Sequence, residues 1–381
     1  MTDRASLLAL GAAMLLAVFA TVAFTEGCRH AWLRHGDIDM QSRFREYALF
    51  RDGIYPDPAL EAPPPPYRAR VSVYPPYAFP LFAPFFEPGG SIQGRFMIEG
   101  LSAASIGFMG AWAWRRFRHR GVAVAALAAV TAAAVAKGNA IAMGQFSIIC
   151  MGLVALQMWL LDRGHPAAAG VCWAVAMIKP QIAIAFAPLF LVGGATTGLV
   201  TGLTVLLALS LGACAWTEIS PFAVCEHWLL RSNLEFNGHG VITQWMARGT
   251  GLSLRHLVGV GLALVVAAGW SIRRWSSASK DTDRLWIAAT LPVLCMLAFY
   301  HRSYDNIMLW PLLLATLERA LTRKTPADGL ISALTALSLI VPERLVASVP
   351  FIDLARMLMW IGAAVTVVPW RRIVSSASRQ T

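Results

Sequence analysis

The sequence predicts an all-α integral membrane protein, a polytopic helical bundle forming a single membrane domain over residues 1–381. Composition is the first reason: 57% of the residues are hydrophobic and 14% charged, and that charged share is about half of what soluble globular domains carry. Patterning is the second, because apolar runs of roughly bilayer length recur along the chain, separated by short clusters of Arg and Lys. Those clusters account for the net charge of +11 as a membrane-orientation signal, so membrane lipids and no nucleic acid are expected as partners. Six cysteines are scattered without a CxxC motif or a His pair at ligand spacing, so no metal site and no redox motif are expected.

The first span is expected at Leu7 to Phe24. It lacks a small-residue cleavage site and is read as retained. The cluster Arg115 to Arg120 closes the second span, Ile92 to Trp114, on the cytoplasmic side. The loop between these spans, residues 26–91, then lies outside. It carries the carboxylate pair Asp37 and Asp39 where the chain leaves the bilayer. Met40, Phe44, Tyr47 and Ala48 follow at helical spacing beside Arg43, Arg45 and Arg51, the pattern of a short helix in the interface plane. Next come the stiff tract Pro63 to Pro66 and the aromatic, proline-rich return Val73 to Phe86. That return is too short to span and reads as an interfacial aromatic belt or as one wall of a lipid or sugar groove.

Further spans are expected at Gly121 to Ala136 and Phe146 to Leu161, joined outside by Lys137 to Gln145. Ala167 to Ile178 and Ile182 to Val192 are each short for a crossing and flank Lys179-Pro180-Gln181. A proline break at membrane depth is tolerated only against protein or a cavity. Thr197 to Trp216 returns outside to a second polar loop at 217–250, and Leu252 to Ile272 comes back to Arg273-Arg274. Leu285 to Phe299 and Ile307 to Leu321 enclose the outer turn Tyr300 to Asn306, and two last spans run at Leu330 to Val341 and Phe351 to Pro369. The total is about a dozen spans, with both termini cytoplasmic.

Four segments carry a family likeness. They are Asp39 with the helix Phe44 to Gly53 and Tyr55; Tyr74-Pro75-Pro76-Tyr77 with Pro84; Gly144-Gln145 leading through the Arg163-Gly164 turn and Ala169-Gly170 to Lys179-Pro180; and Ser303-Tyr304-Asp305 before a span with Pro311. In order and spacing the chain resembles the polyprenol-phosphate-mannose-dependent glycosyltransferases of family 87, over about residues 7–320. The resemblance implies a GT-C fold with extracytoplasmic loop helices, in which loops 26–91 and 217–250 form the catalytic face. It also implies an inverting transfer of a hexose, usually mannose, from a polyprenyl phosphate to a lipid or glycan acceptor outside the inner (plasma) membrane.

In that scheme Asp39 is the general base that takes the acceptor's hydroxyl proton. Lys179, His301 and Arg302 are the cations for the donor phosphate, and Asp37, Gln145, Tyr304 and Asp305 contact substrate. No metal or other cofactor is expected, the polyprenyl-linked sugar being a co-substrate. Several residues also have plain structural readings. Asp39 fits a helix N-cap with Ser42 at the capping distance, Lys179 fits a snorkelling side chain, and Asp305 fits a partner of Arg302. Cys28 and Cys225, both assigned to outer loops, are placed to pair in an oxidising compartment. The competing class is a carrier or flippase for a lipid-linked sugar that uses the Pro180 break as its gate.

Overall fold

In a computed structural model of the chain, the structure describes residues 3–33, 38–56, 74–224, 226, 284–298, 303–341 and 352–368. Among them every regular element is a helix. Helix α1, Asp3–Leu33, runs beyond the expected first span. Its apolar stretch exposes Leu7, Leu8, Leu15 and Val18 on one side while the small residues Ala13, Ala20 and Ala31 are buried. Exposed leucines on so long a helix suit a lipid-facing side, and small residues let a neighbouring helix come close. That neighbour is the pair α5 (Val122–Val135) and α6 (Gly138–Ala142).

Two shorter helices separate the first long helix from the next. Helix α2, Ile38–Arg51, is followed by α3, Ala78–Phe86. Helix α2 is packed closely against the protein: Met40, Arg43, Glu46, Tyr47, Ala48, Leu49 and Phe50 are all enclosed. Arg43 and Glu46 tolerate this because they neutralise each other at 2.8 Å. The aromatic residues of α3 are likewise enclosed by protein, with Phe79 and Phe82 wholly buried and Phe86 nearly so. Its rings pack on protein: Phe79 on Phe50 and Tyr55, Phe86 on Phe44 and Tyr47, and Phe82 on Tyr74 and Phe146.

The bundle beneath is built by sequential neighbours. Helix α4, Gly90–Phe117, lies against α5 and α7 (Ser147–Asp162); α7 packs on α8 (Pro166–Ala176), and α8 on α10 (Thr196–Trp216). Between α8 and α10 the chain forms the short α9, Pro180–Ala183, and a 3-10 segment, Ile184–Gly194. The break read at Pro180 is therefore real. Its loosened backbone is satisfied from other helices, the Trp173 indole donating to the Ala183 carbonyl at 2.9 Å and the Gln157 amide to that of Phe186 at 3.1 Å. The C-terminal group holds α11 (Arg284–Ala298), a 3-10 turn at Ser303–Leu309, α12 (Trp310–Arg323), α13 (Pro326–Ile340) and α14 (Ile352–Val367). Trp310 fixes this group to α5 by donating its indole N–H to Thr131 at 3.1 Å.

Three described helices are long and apolar enough to cross a membrane: Ser6–Leu33, Gly90–Arg120 and Thr196–Trp216. Seven further apolar helices have 10–17 residues. The expected dozen crossings are thus not matched by helices of crossing length among the described residues, because proline and 3-10 geometry divide several runs. Expected Ile307 to Leu321 begins as a 3-10 turn and becomes α-helical at Trp310, before Pro311. The expected span Leu252 to Ile272 lies outside the described residues, as does most of the loop at 217–250.

Candidate active site

The site begins with a turn that receives α2. After α6 the chain tightens through hydrogen bonds from Gly144 N–H to the Ile141 carbonyl at 2.9 Å and from Gln145 N–H to that of Ala140 at 2.8 Å. Gly144 takes φ of +69°, a left-handed conformation open to glycine. A Cβ there would also collide with Met40 Cβ, so glycine is needed twice over. The turn's outward carbonyl, that of Met143, accepts the Met40 N–H at 3.3 Å. Backbone N–H groups in a helix's first turn have no partner within the helix, and here one of them becomes the docking point.

Asp39 lies half-buried in that same first turn, inside the helix and not at its cap. Its Oδ2 accepts a hydrogen bond from the Gln145 side-chain amide, and Gln145 is itself buried. Two residues on, Ser147 opens α7 and its hydroxyl donates to Asp305 Oδ1 at 2.7 Å. Lys179 Nζ reaches the same Asp305 oxygen at 2.8 Å and the Ser147 hydroxyl oxygen at 2.8 Å, and it stands 4.6 Å from the centre of the Tyr304 ring. Lys179 is 3% and Asp305 1% exposed. The lysine therefore does not snorkel, because Asp305 holds it inside the protein; Arg302, the partner expected for Asp305, lies outside the described residues. Pro180 explains the placement: it drives the preceding residue out of helical geometry, and Lys179 has φ −117° and ψ 84°.

Between Gln145 and Ser147 in the chain, Phe146 packs its ring on Phe82 with centroids 5.5 Å apart and on Phe85 at 4.9 Å. Gln145, Phe146 and Ser147 therefore serve Asp39, the aromatic layer and the Lys179–Asp305 pair in turn. Residues that sequence reasoning had not placed in the site join on the α2 side. Arg43 donates from Nε to the Asp39 backbone carbonyl at 3.4 Å, pairs with Glu46, and lies 4.5 Å from the centre of the Tyr74 ring. Burial pushes the Tyr74 phenol well above its ordinary value; Arg43 opposes that, and Glu46 and Asp39 add to it. An Arg and a Glu three apart on a helix were a readable signal. Ser147 offered none.

Of the expected site residues, the structure therefore brings Asp39 to Gln145, and Lys179 to Asp305 and Tyr304. Asp37, His301 and Arg302 lie outside the described residues, as does Cys225, the expected partner of Cys28. Among the described residues no group of three His, Cys, Asp or Glu side chains converges as a metal site would require.

Chemically, the arrangement offers a carboxylate steadied on one oxygen by Gln145, and a buried Lys179–Asp305 pair reached through Ser147, two residues further along the chain. No curated protein and no solved structure gave a match to the chain. The family model for glycosyltransferase family 87 matches residues 73–300, well over half of the chain and including Gln145, Ser147 and Lys179. The chain thus belongs to glycosyltransferase family 87, whose members are membrane glycosyltransferases of the GT-C type.

Proposed function

We propose that this glycosyltransferase moves a hexose, most simply mannose, from a polyprenyl phosphate to a lipid or glycan acceptor, with inversion and with Asp39 as general base. The observation that carries the reading is the Asp39 carboxylate held by Gln145 in the first turn of α2. One oxygen is engaged by the amide, and the other remains to take the acceptor's hydroxyl proton. The acceptor oxygen forms its bond to the anomeric carbon as the bond from that carbon to the phosphate oxygen breaks. The electron pair leaves on the polyprenyl phosphate, so no enzyme-bound sugar is required.

The departing monoester needs a cation. Lys179 spends two of its three N–H donors on Asp305 and Ser147, and we assign the third to the phosphate. His301 and Arg302, two to three residues before Tyr304 in the chain, are assigned to the same charge. We place the enzyme in the inner (plasma) membrane with this face outside and both termini in the cytoplasm. Sugar on a polyprenyl carrier suits such a site, because the prenyl chain stays in lipid while the reacting carbon meets water at the bundle's end.

The test is transfer of labelled mannose from polyprenyl-phosphate-mannose to a lipid extract by purified protein in detergent. A new glycoside whose anomeric configuration is opposite to the donor's is expected. Absence of any transfer from this donor, with transfer from a nucleotide sugar instead, overturns the proposed donor class. Activity in detergent also separates catalysis from carriage, which needs a sealed bilayer.

A further inference from the structure

We infer that Gln145 is a positioning residue for Asp39 and not a substrate contact; the inference rests on the reading of Asp39 as the base. Three independent features converge on it. The first is the hydrogen bond itself: toward an ionised carboxylate an amide can present only its NH2 side, and Gln145 presents it to Asp39 Oδ2. The second is the backbone next to it, where the Met143 carbonyl takes the Met40 N–H. Loop and helix are thereby joined by one main-chain and one side-chain bond on either side of Gly144. The third is Gly144, whose missing Cβ and φ of +69° allow Met40 to sit directly on the turn.

Gln145 is also only 6% exposed, so its amide is consumed inside the protein. Because α7 starts two residues later, the orientation of Asp39 is referred to a bundle helix and not to the loop that carries it. A base held to a fixed direction keeps its free oxygen on the acceptor hydroxyl, and small misplacements of a reacting group cost large factors in rate. Among the described residues, the charged and titratable groups near Asp39 include Arg43 and Glu46 from α2 and Tyr74 ahead of α3. Arg43 and Glu46 cancel each other, and the Tyr74 phenol is neutral. The Gln145 amide is then a side-chain donor that fixes the direction of the Asp39 carboxyl group.

The experiment is a kinetic cycle on the full-length enzyme in detergent with polyprenyl-phosphate-mannose as donor. Gln145→Met deletes the donor at similar volume, and Gln145→Glu keeps the shape but faces one carboxylate with another. For Gln145→Met the expected result is a fall in kcat of about tenfold to a hundredfold with donor and acceptor KM held within about twofold. Gln145→Glu should lose at least as much near neutral pH. In the Asp39→Asn background Gln145→Met should add almost nothing, because residues acting as a unit are non-additive.

A raised KM with kcat retained makes Gln145 a substrate contact and overturns the inference. So does full activity in Gln145→Met, and so do losses that multiply with those of Asp39→Asn. Near-normal transfer by folded Asp39→Asn is a different failure, because it removes the base itself.

Discussion

Lys179 and Asp305, 126 positions apart in the chain, meet as a buried ion pair at 2.8 Å, with the Ser147 hydroxyl bonded to both. Taking two charges out of water costs several kcal/mol each, and such a pair persists when further hydrogen bonds complete it. Ser147 supplies that completion. Lys179→Met should then strand a buried carboxylate and lower stability by about 3–5 kcal/mol, read as earlier thermal unfolding in detergent. Lys179→Met combined with Asp305→Leu should recover much of that loss. Transfer should stay low in the double variant, because the cation proposed for the donor phosphate is still missing; recovery of both together would make the pair purely structural.

Asp39→Asn keeps the volume and an acceptor oxygen for the Gln145 amide, so the α2 contact survives. Transfer should fall about a hundredfold to ten-thousandfold as proton removal is lost, with unfolding temperature and donor binding near normal. Labelled-sugar transfer alongside a thermal melt decides it.

Gly144→Ala tests the docking turn. Strain at positive φ typically costs about 1–3 kcal/mol, and here the new methyl group also presses on Met40. Both stability and transfer should drop. Gly164, with φ of +76° and nothing within 4 Å of where an alanine methyl group would stand, is the control: Gly164→Ala should suffer the strain and keep its transfer rate.

Orientation is open to direct labelling. A single cysteine at Arg118, which is exposed beyond α4, should react only from the cytoplasm, and so should one at Ser277 or Ser376. Cysteines at Ala62 and Asn237 should react only from outside. Cytoplasmic labelling at Ala62 would put Asp39 on the wrong side for an external acceptor.

The membrane class was legible because it rests on composition and run length, which need no partner. The break at Lys179-Pro180 was equally legible, since proline acts on its own neighbour wherever the chain goes. Family 87 was legible in short motifs such as Gly144-Gln145 and Tyr74-Pro75-Pro76-Tyr77, which carry local turn geometry. Burial of α2 was less legible for an identifiable reason: periodicity counts Arg43 as polar, but an arginine three residues from Glu46 is neutral as a pair and can be enclosed.

By itself, then, the sequence determined that the chain is a broken, apolar helical bundle with its polar residues gathered at the ends of runs. Local chemistry suffices for that, through hydrophobic length and proline geometry. Only the tertiary structure decided which polar groups meet. Asp39 finds Gln145 across 106 positions, and Lys179 finds Asp305 across 126, because α7 starts where α2 docks and where the 3-10 turn of Ser303–Leu309 packs. A buried charge must have a partner, but the choice among distant candidates is made by which helices become neighbours.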